Sequence, residues 1–142
     1  MSKNPYQTLF VLCLAFIYSC KSPAHNSTDH VTPGTVIDSL SVPVKDDTLN
    51  KSVFSVRIVA DSAVENGVYI VDVTFGSNFA QGKFTMPKGI EHVTPILHLS
   101  SAPYTCVVGF KLENDTSFNG YFEISSNKQN TRMGYINSYT FQ

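Results

Sequence analysis

The chain has 142 residues, with 10 Lys and Arg against 11 Asp and Glu, 42% hydrophobic and 15% charged residues. That length admits about one small domain and excludes a multidomain enzyme. A formal net charge of -1 offers no basic field to a phosphate backbone, so nucleic acid is not expected as a partner, and the charge density is too low for a solvated disordered chain.

The first element is a short polar start carrying Lys3, followed by the apolar run Leu9-Phe10-Val11-Leu12-Cys13-Leu14-Ala15-Phe16-Ile17-Tyr18 and the small Ser19. Ten residues make about 15 Å of helix, half of a hydrocarbon layer of roughly 30 Å, so the run is too short to span. A basic start, a short apolar middle and a small residue before a polar stretch are the parts of an export signal, here residues 1–19. The next residue is Cys20, and Ile17-Tyr18-Ser19-Cys20 resembles the lipobox of bacterial lipoproteins, although Tyr18 stands where that family has a smaller residue. The resemblance implies cleavage before Cys20, a diacylglyceryl thioether on its sulfur and acylation of its new amino group. One acyl chain holds a protein only marginally, whereas two or more anchor it stably, so the membrane is the first expected partner. Lys21 after the cysteine, rather than Asp, favours the outer membrane of the bacterial envelope.

Loss of Cys13 and lipidation of Cys20 would leave Cys106 alone, so an apolar core rather than a disulfide must hold the exported domain together. Cys106 shares an alternation with Tyr104, Val108 and Phe110 and reads as a buried structural thiol.

Residues 20–50 follow as the lipidated cysteine and a flexible tether rich in Ser, Thr, Pro and Asp. Thirty such residues reach about 30 Å by the square-root rule. The stretch from Val36-Ile37 to Val42 and Val44 has an alternative reading as a first strand paired to the domain edge. Asp38-Ser39-Leu40, Asp47-Thr48-Leu49 and Asp61-Ser62-Ala63 resemble the Asp-Ser/Thr-aliphatic triplets that Bacteroidetes O-glycosylate, which makes Ser39, Thr48 and Ser62 candidate acceptors. The same triplets also read as ordinary turn and cap chemistry.

Residues 51–142 form the expected folded domain, where apolar residues recur with period two. Phe54, Val56 and Ile58 make one inward face, and Tyr69, Val71, Val73 and Phe75 make the next, with Asn66-Gly67 turning the chain between them. Gly82, Phe84 and Met86 follow, ending at Pro87-Lys88-Gly89; then come Val93, Leu97 and Leu99, with Pro95 marking an edge or a bulge. Tyr104 to Leu112 is the clearest strand. After it, Phe118, Gly120, Phe122 and Ile124 oppose Asn119, Tyr121 and Glu123, and a last run holds Met133, Tyr135, Asn137, Tyr139 and Phe141. Short strands with polar turns and no amphipathic helix predict an all-β domain, an antiparallel sandwich or partly open barrel of about seven strands.

Signs of chemistry are sparse. His92 and His98 sit six apart in one strand, about 20 Å at 3.3 Å per residue, and cannot share a metal ion. His25 and His30 fall in the tether, no carboxylate cluster has ligand spacing, and neither a metal nor a cofactor is expected. Most carboxylates fall in turns, while Asp72 and Glu123 point outward by alternation, so catalysis is not expected. Tyr121, on the polar alternation, together with Tyr135 and Tyr139 makes a candidate exposed aromatic-polar patch for a sugar or a protein. The resulting expectation is a lipid-anchored envelope lipoprotein acting as a non-catalytic binding or structural module. The competing readings are an inhibitor or immunity lipoprotein directed at a hydrolase or toxin, and a carbohydrate-binding accessory protein.

Overall fold

A computed structural model describes residues 31–45, 47, 49–89, 93–112 and 116–139. The export-signal segment, Cys20, Thr48, His25, His30, His92 and Phe141 lie outside the described residues.

The described chain is all-β, built from two four-stranded antiparallel sheets arranged as a sandwich. Sheet I is the meander β1 (Val36–Pro43), β2 (Val53–Ala60), β3 (Val68–Phe75) and β4 (Asn78–Thr85). Sheet II repeats that order with β5 (Ile96–Leu99), β6 (Thr105–Phe110), β7 (Asn119–Ser126) and β8 (Thr131–Tyr135). A single 3-10 turn, Val64–Asn66, lies between β2 and β3, and no helix among the described residues is long and apolar enough to cross a membrane.

Eight strands stand where about seven were expected, and the addition is β1. Residues 36–43 are not tether: they pair antiparallel with β2 from Val36↔Val59 to Pro43↔Val53, with a bulge between Val36 and Asp38. As an edge strand, β1 buries its inward residues only partly, which is why Leu40 and Val42 are spaced by Ser39 and Ser41 and the segment reads as polar. The folded part therefore begins before Lys51.

The inward alternation of the central strands forms the core. Phe54, Val56, Ile58, Val71 and Val73 of sheet I meet Cys106, Val108, Phe110 and Ile124 of sheet II, each buried. Full burial of such side chains contributes roughly 1.5–3 kcal/mol each, so this layer is the main source of stability in a domain with one buried free thiol and no disulfide among the described residues. Pro95 is buried just before β5, where the missing N–H of a proline interrupts no ladder.

Turn chemistry sets the connections. Gly76 and Ser77 close a two-residue hairpin after the Phe75↔Asn78 pair, with Gly76 at φ +60°, the first-position conformation of a type II′ turn. Asn66-Gly67 does turn the chain, though as the exit of the 3-10 turn within a longer loop; Gly67 takes the left-handed φ of +73°, and a Cβ there would lie a tight 3.2 Å from Met86 Cβ.

Two lines of side-chain bonds join the sheets at their edges. At the β1/β5 seam the Leu97 N–H donates to Asp38 Oδ2 at 2.7 Å. At the β4/β8 seam the Thr85 N–H donates to the Tyr135 hydroxyl at 3.0 Å, and Met133 Sδ lies over Gly82.

Candidate functional site

Both meanders place their odd-to-even hairpin turns at one end of the sandwich, so the β1–β2 loop, the Gly76-Ser77 turn, the residues before β6 and the β7–β8 turn all gather there. Between them run two adjoining hollows of about 440 and 540 Å³ that share Val44, Phe75 and Lys128. Tyr104, Asn127 and Gln129 complete the first; Asp47, Asn50, Ser52 and Asn78 help line the second. Together they have the size of a small-molecule or side-chain pocket.

The floor is apolar. Tyr104 sits at φ +49°, a left-handed conformation rare for an aromatic residue. Its hydroxyl accepts the Lys45 N–H at 2.9 Å, and its ring meets Phe75 edge-on at 5.1 Å and Phe54 at 6.1 Å. Those contacts hold the strained backbone in place.

The polar rim is mostly committed to its own loops. Asp47 accepts from the Asn50 amide and from Asn50 Nδ2 at 2.8 Å through Oδ1, and from Ser52 Oγ at 2.6 Å through Oδ2. These bonds hold its carboxyl below the ordinary carboxylate range, the Ser52 hydroxyl contributing most and Lys128 adding a smaller electrostatic pull. Asn127 Oδ1 caps the amides of Gln129 and Asn130 at 2.9 and 2.8 Å, and Asn78 Nδ2 donates to the Lys128 carbonyl at 3.0 Å. The Lys128 ammonium, by contrast, is exposed and is in no ion pair among the described residues.

The tyrosine patch expected on the last two strands does not exist as such. Tyr121 is only 2% exposed. A bulge in the β6–β7 ladder, where Val108↔Phe122 is followed by Gly109↔Gly120, makes Tyr121 the extra residue and turns it into the core beside Phe122. Its ring lies against Phe84 and Phe110, its hydroxyl reaches Met86 Sδ at 3.0 Å, and burial pushes the phenol pKa up. A residue so placed cannot stack on a ligand. Tyr135 keeps 59% exposure, but its ring packs edge-on against Phe122 and its hydroxyl belongs to the β4/β8 seam. Tyr139 is half-buried on Phe110 and donates to the Gly120 carbonyl at 3.0 Å. Asn137 Nδ2 reaches the same carbonyl and the Ile136 N–H reaches that of Tyr121, so the residues after β8 leave the ladder to satisfy the bulge. That is why β8 ends at Tyr135 and does not extend through Tyr139.

The other singled-out residues are spread over the fold. Ser39 is exposed on the outer side of β1, next to the Asp38 carboxylate that pins Leu97. Ser62 is exposed, and its hydroxyl donates to Asp61 Oδ1 at 3.2 Å. Asp61 itself is buried, accepts the Ala63 N–H at 3.0 Å and pairs with Lys83 at 2.7 Å; Lys83 above all holds its carboxyl below the usual range. Cys106 is fully buried, and desolvation, with a smaller contribution from Glu123, pushes its thiol up to about 12, which keeps it protonated and unreactive. His98 stacks on Phe118 at 4.7 Å on the outer side of sheet II, and no group of three potential metal ligands occurs among the described residues.

The sequence reading did not single out Tyr104, Phe75 or Lys128 as a group, because they lie at the end of β3 and in two turns, separated by tens of residues. The signals present were the Ala102-Pro103-Tyr104 step before the clearest strand and the Asn127-Lys128-Gln129-Asn130 turn. No protein family, curated protein or solved structure matches the chain.

Proposed function

We propose that this chain is a lipoprotein of the bacterial cell envelope, anchored in the outer membrane through acyl chains on Cys20, and that its β-sandwich is a binding module rather than an enzyme. The observation that carries this reading is the polarity of the domain. The described chain starts at the end where β2 finishes: Gly34 N–H donates to the Ala60 carbonyl at 2.8 Å, while the hollows lined by Val44, Phe75 and Lys128 open at the opposite end. Eight-residue strands separate the two ends by about 26 Å. Fifteen residues lie between Cys20 and Val36, and at most about 3.3–3.6 Å per residue they reach roughly 50 Å, so an anchor at Cys20 would join the end of the domain away from the hollows and leave the hollows room to stand clear of the bilayer.

The groups with perturbed protonation favour binding over turnover. The carboxyls of Asp47 and Asp61 are lowered by bonds that build their own loops, and the Cys106 thiol is raised inside the core, so each is tied to structure rather than poised for proton transfer. Mass spectrometry of the mature N-terminus should find residue 20 as a diacylglyceryl cysteine with an acylated amino group. Cys20→Ala should move the protein from membranes to the soluble fraction. Retention of Met1, or sedimentation of the variant with membranes as before, would overturn the anchoring.

A further inference from the structure

Resting on the binding-module reading, we infer that the hollow between Val44, Phe75, Tyr104 and Lys128 takes a peptide segment of a partner protein in which an apolar side chain lies next to a carboxylate. Of the two charged groups that line the hollows, Asp47 and Lys128, one is committed to its own loop and the other is not. Both Asp47 oxygens are occupied by Asn50 and Ser52, and the acceptor oxygen of Asn127 is occupied by the turn it caps. Lys128 remains as an exposed ammonium without an ion pair among the described residues, beside an apolar floor. A site with a free cationic donor and an apolar floor is complementary to an acceptor-bearing anion attached to an apolar group.

A sugar fits less well. Stacking on a saccharide needs an open aromatic face. Here Phe75 is buried, and it packs against Tyr104 with the two rings at 83°. Exposed aliphatic and aromatic side chains near the same end of the fold, Leu49 at the loop tip, Leu99 at the end of β5 and Phe79 at the start of β4, add the apolar surroundings of a protein contact.

The test uses the protein as the cell produces it, isotope-labelled and held in a non-ionic detergent, with three small probes: N-acetyl-leucine, N-acetyl-leucinamide and N-acetylglucosamine. N-acetyl-leucine should shift the backbone amide signals of Val44, Lys128 and Gln129 at millimolar concentration, and the uncharged amide should bind about three- to fivefold more weakly. Lys128→Gln, a change at an exposed turn side chain, should keep the dispersed spectrum of the folded chain and abolish the preference for the carboxylate. Absence of shifts at the hollow, an equal response to acid and amide, or a stronger response to the sugar would each overturn the proposal. The outcome is separate from anchoring: an unlipidated product that binds the acid sinks the anchor alone, and a lipidated product that ignores it sinks the peptide site alone.

Discussion

At the scale of single residues, two aspartates build loops and carry lowered carboxyls. Asp61 binds Lys83, the Ala63 amide and the Ser62 hydroxyl at once, where β2 gives way to the 3-10 turn. Its carboxyl is lowered in the folded chain, chiefly by Lys83, so the unfolded chain takes up the proton more readily. The stability it confers is therefore present above the unfolded value of about 3.9 and is lost as pH falls through the lower folded value. Asp47 acts in the same sense through Ser52. We expect Asp61→Asn to lower stability at neutral pH and to flatten the loss on acidification below about pH 4, because the asparagine can keep the turn bond to Ala63 but has no charge to titrate. Urea unfolding of both chains at pH 7 and pH 3 measures this, and parallel pH profiles would contradict the role given to Lys83.

At the scale of elements, glycine positions decide how closely strands and rings approach, and the outcome depends on what a methyl group would meet. On Gly109 in β6, a Cβ would lie 2.5 Å from the Asn119 carbonyl oxygen and 2.5 Å from the Phe118 ring, next to the bulge that carries Tyr121. Backbone there cannot step aside without breaking the ladder. On Gly82 in β4, the close neighbour is Met133 Sδ at 2.6 Å, the far end of an adaptable side chain. Gly109→Ala should therefore cost about 1–3 kcal/mol, as overpacking does, whereas Gly82→Ala should stay within about 1 kcal/mol. Chemical denaturation separates the two, and equal costs would show that Met133 is as fixed as the backbone.

The same bulge explains what period-two reasoning could and could not extract. Where strands run unbroken, as from Phe54 to Ile58 or Tyr69 to Phe75, alternation alone places every inward side chain correctly. One extra residue at Tyr121 inverts the pattern on its N-terminal side, so Tyr121 and Phe122 are both buried and a residue expected on the polar face becomes part of the core. β1 was ambiguous for a different reason: Asp38, Ser39 and Ser41 belong to an edge strand whose outer side is wet, and its polar content resembles that of a linker. The hollow was not legible at all, since Val44 and Lys128 come together only once both meanders have folded and stacked.

At the scale of the whole molecule, the two meanders are stacked with both edge pairs joined by side chains rather than by a continuous ladder, so the sandwich stops short of a closed barrel. That arrangement blunts the edges: the Asp38 carboxylate covers the outward N–H of Leu97 in β5, and the Tyr135 hydroxyl covers the outward N–H of Thr85 in β4. The two covers differ in strength, because a carboxylate acceptor binds an amide about twice as strongly as a neutral hydroxyl does. The β1/β5 seam should therefore be the tighter one. In amide hydrogen exchange under native conditions, Leu97 should exchange more slowly than Thr85, and Asp38→Ala should erase protection at Leu97 while leaving Thr85 as it was. Tyr135→Phe should do the converse. If either substitution released both amides together, the seams would be opening as one unit, and the sheets would be coupled through the core more tightly than through their edges.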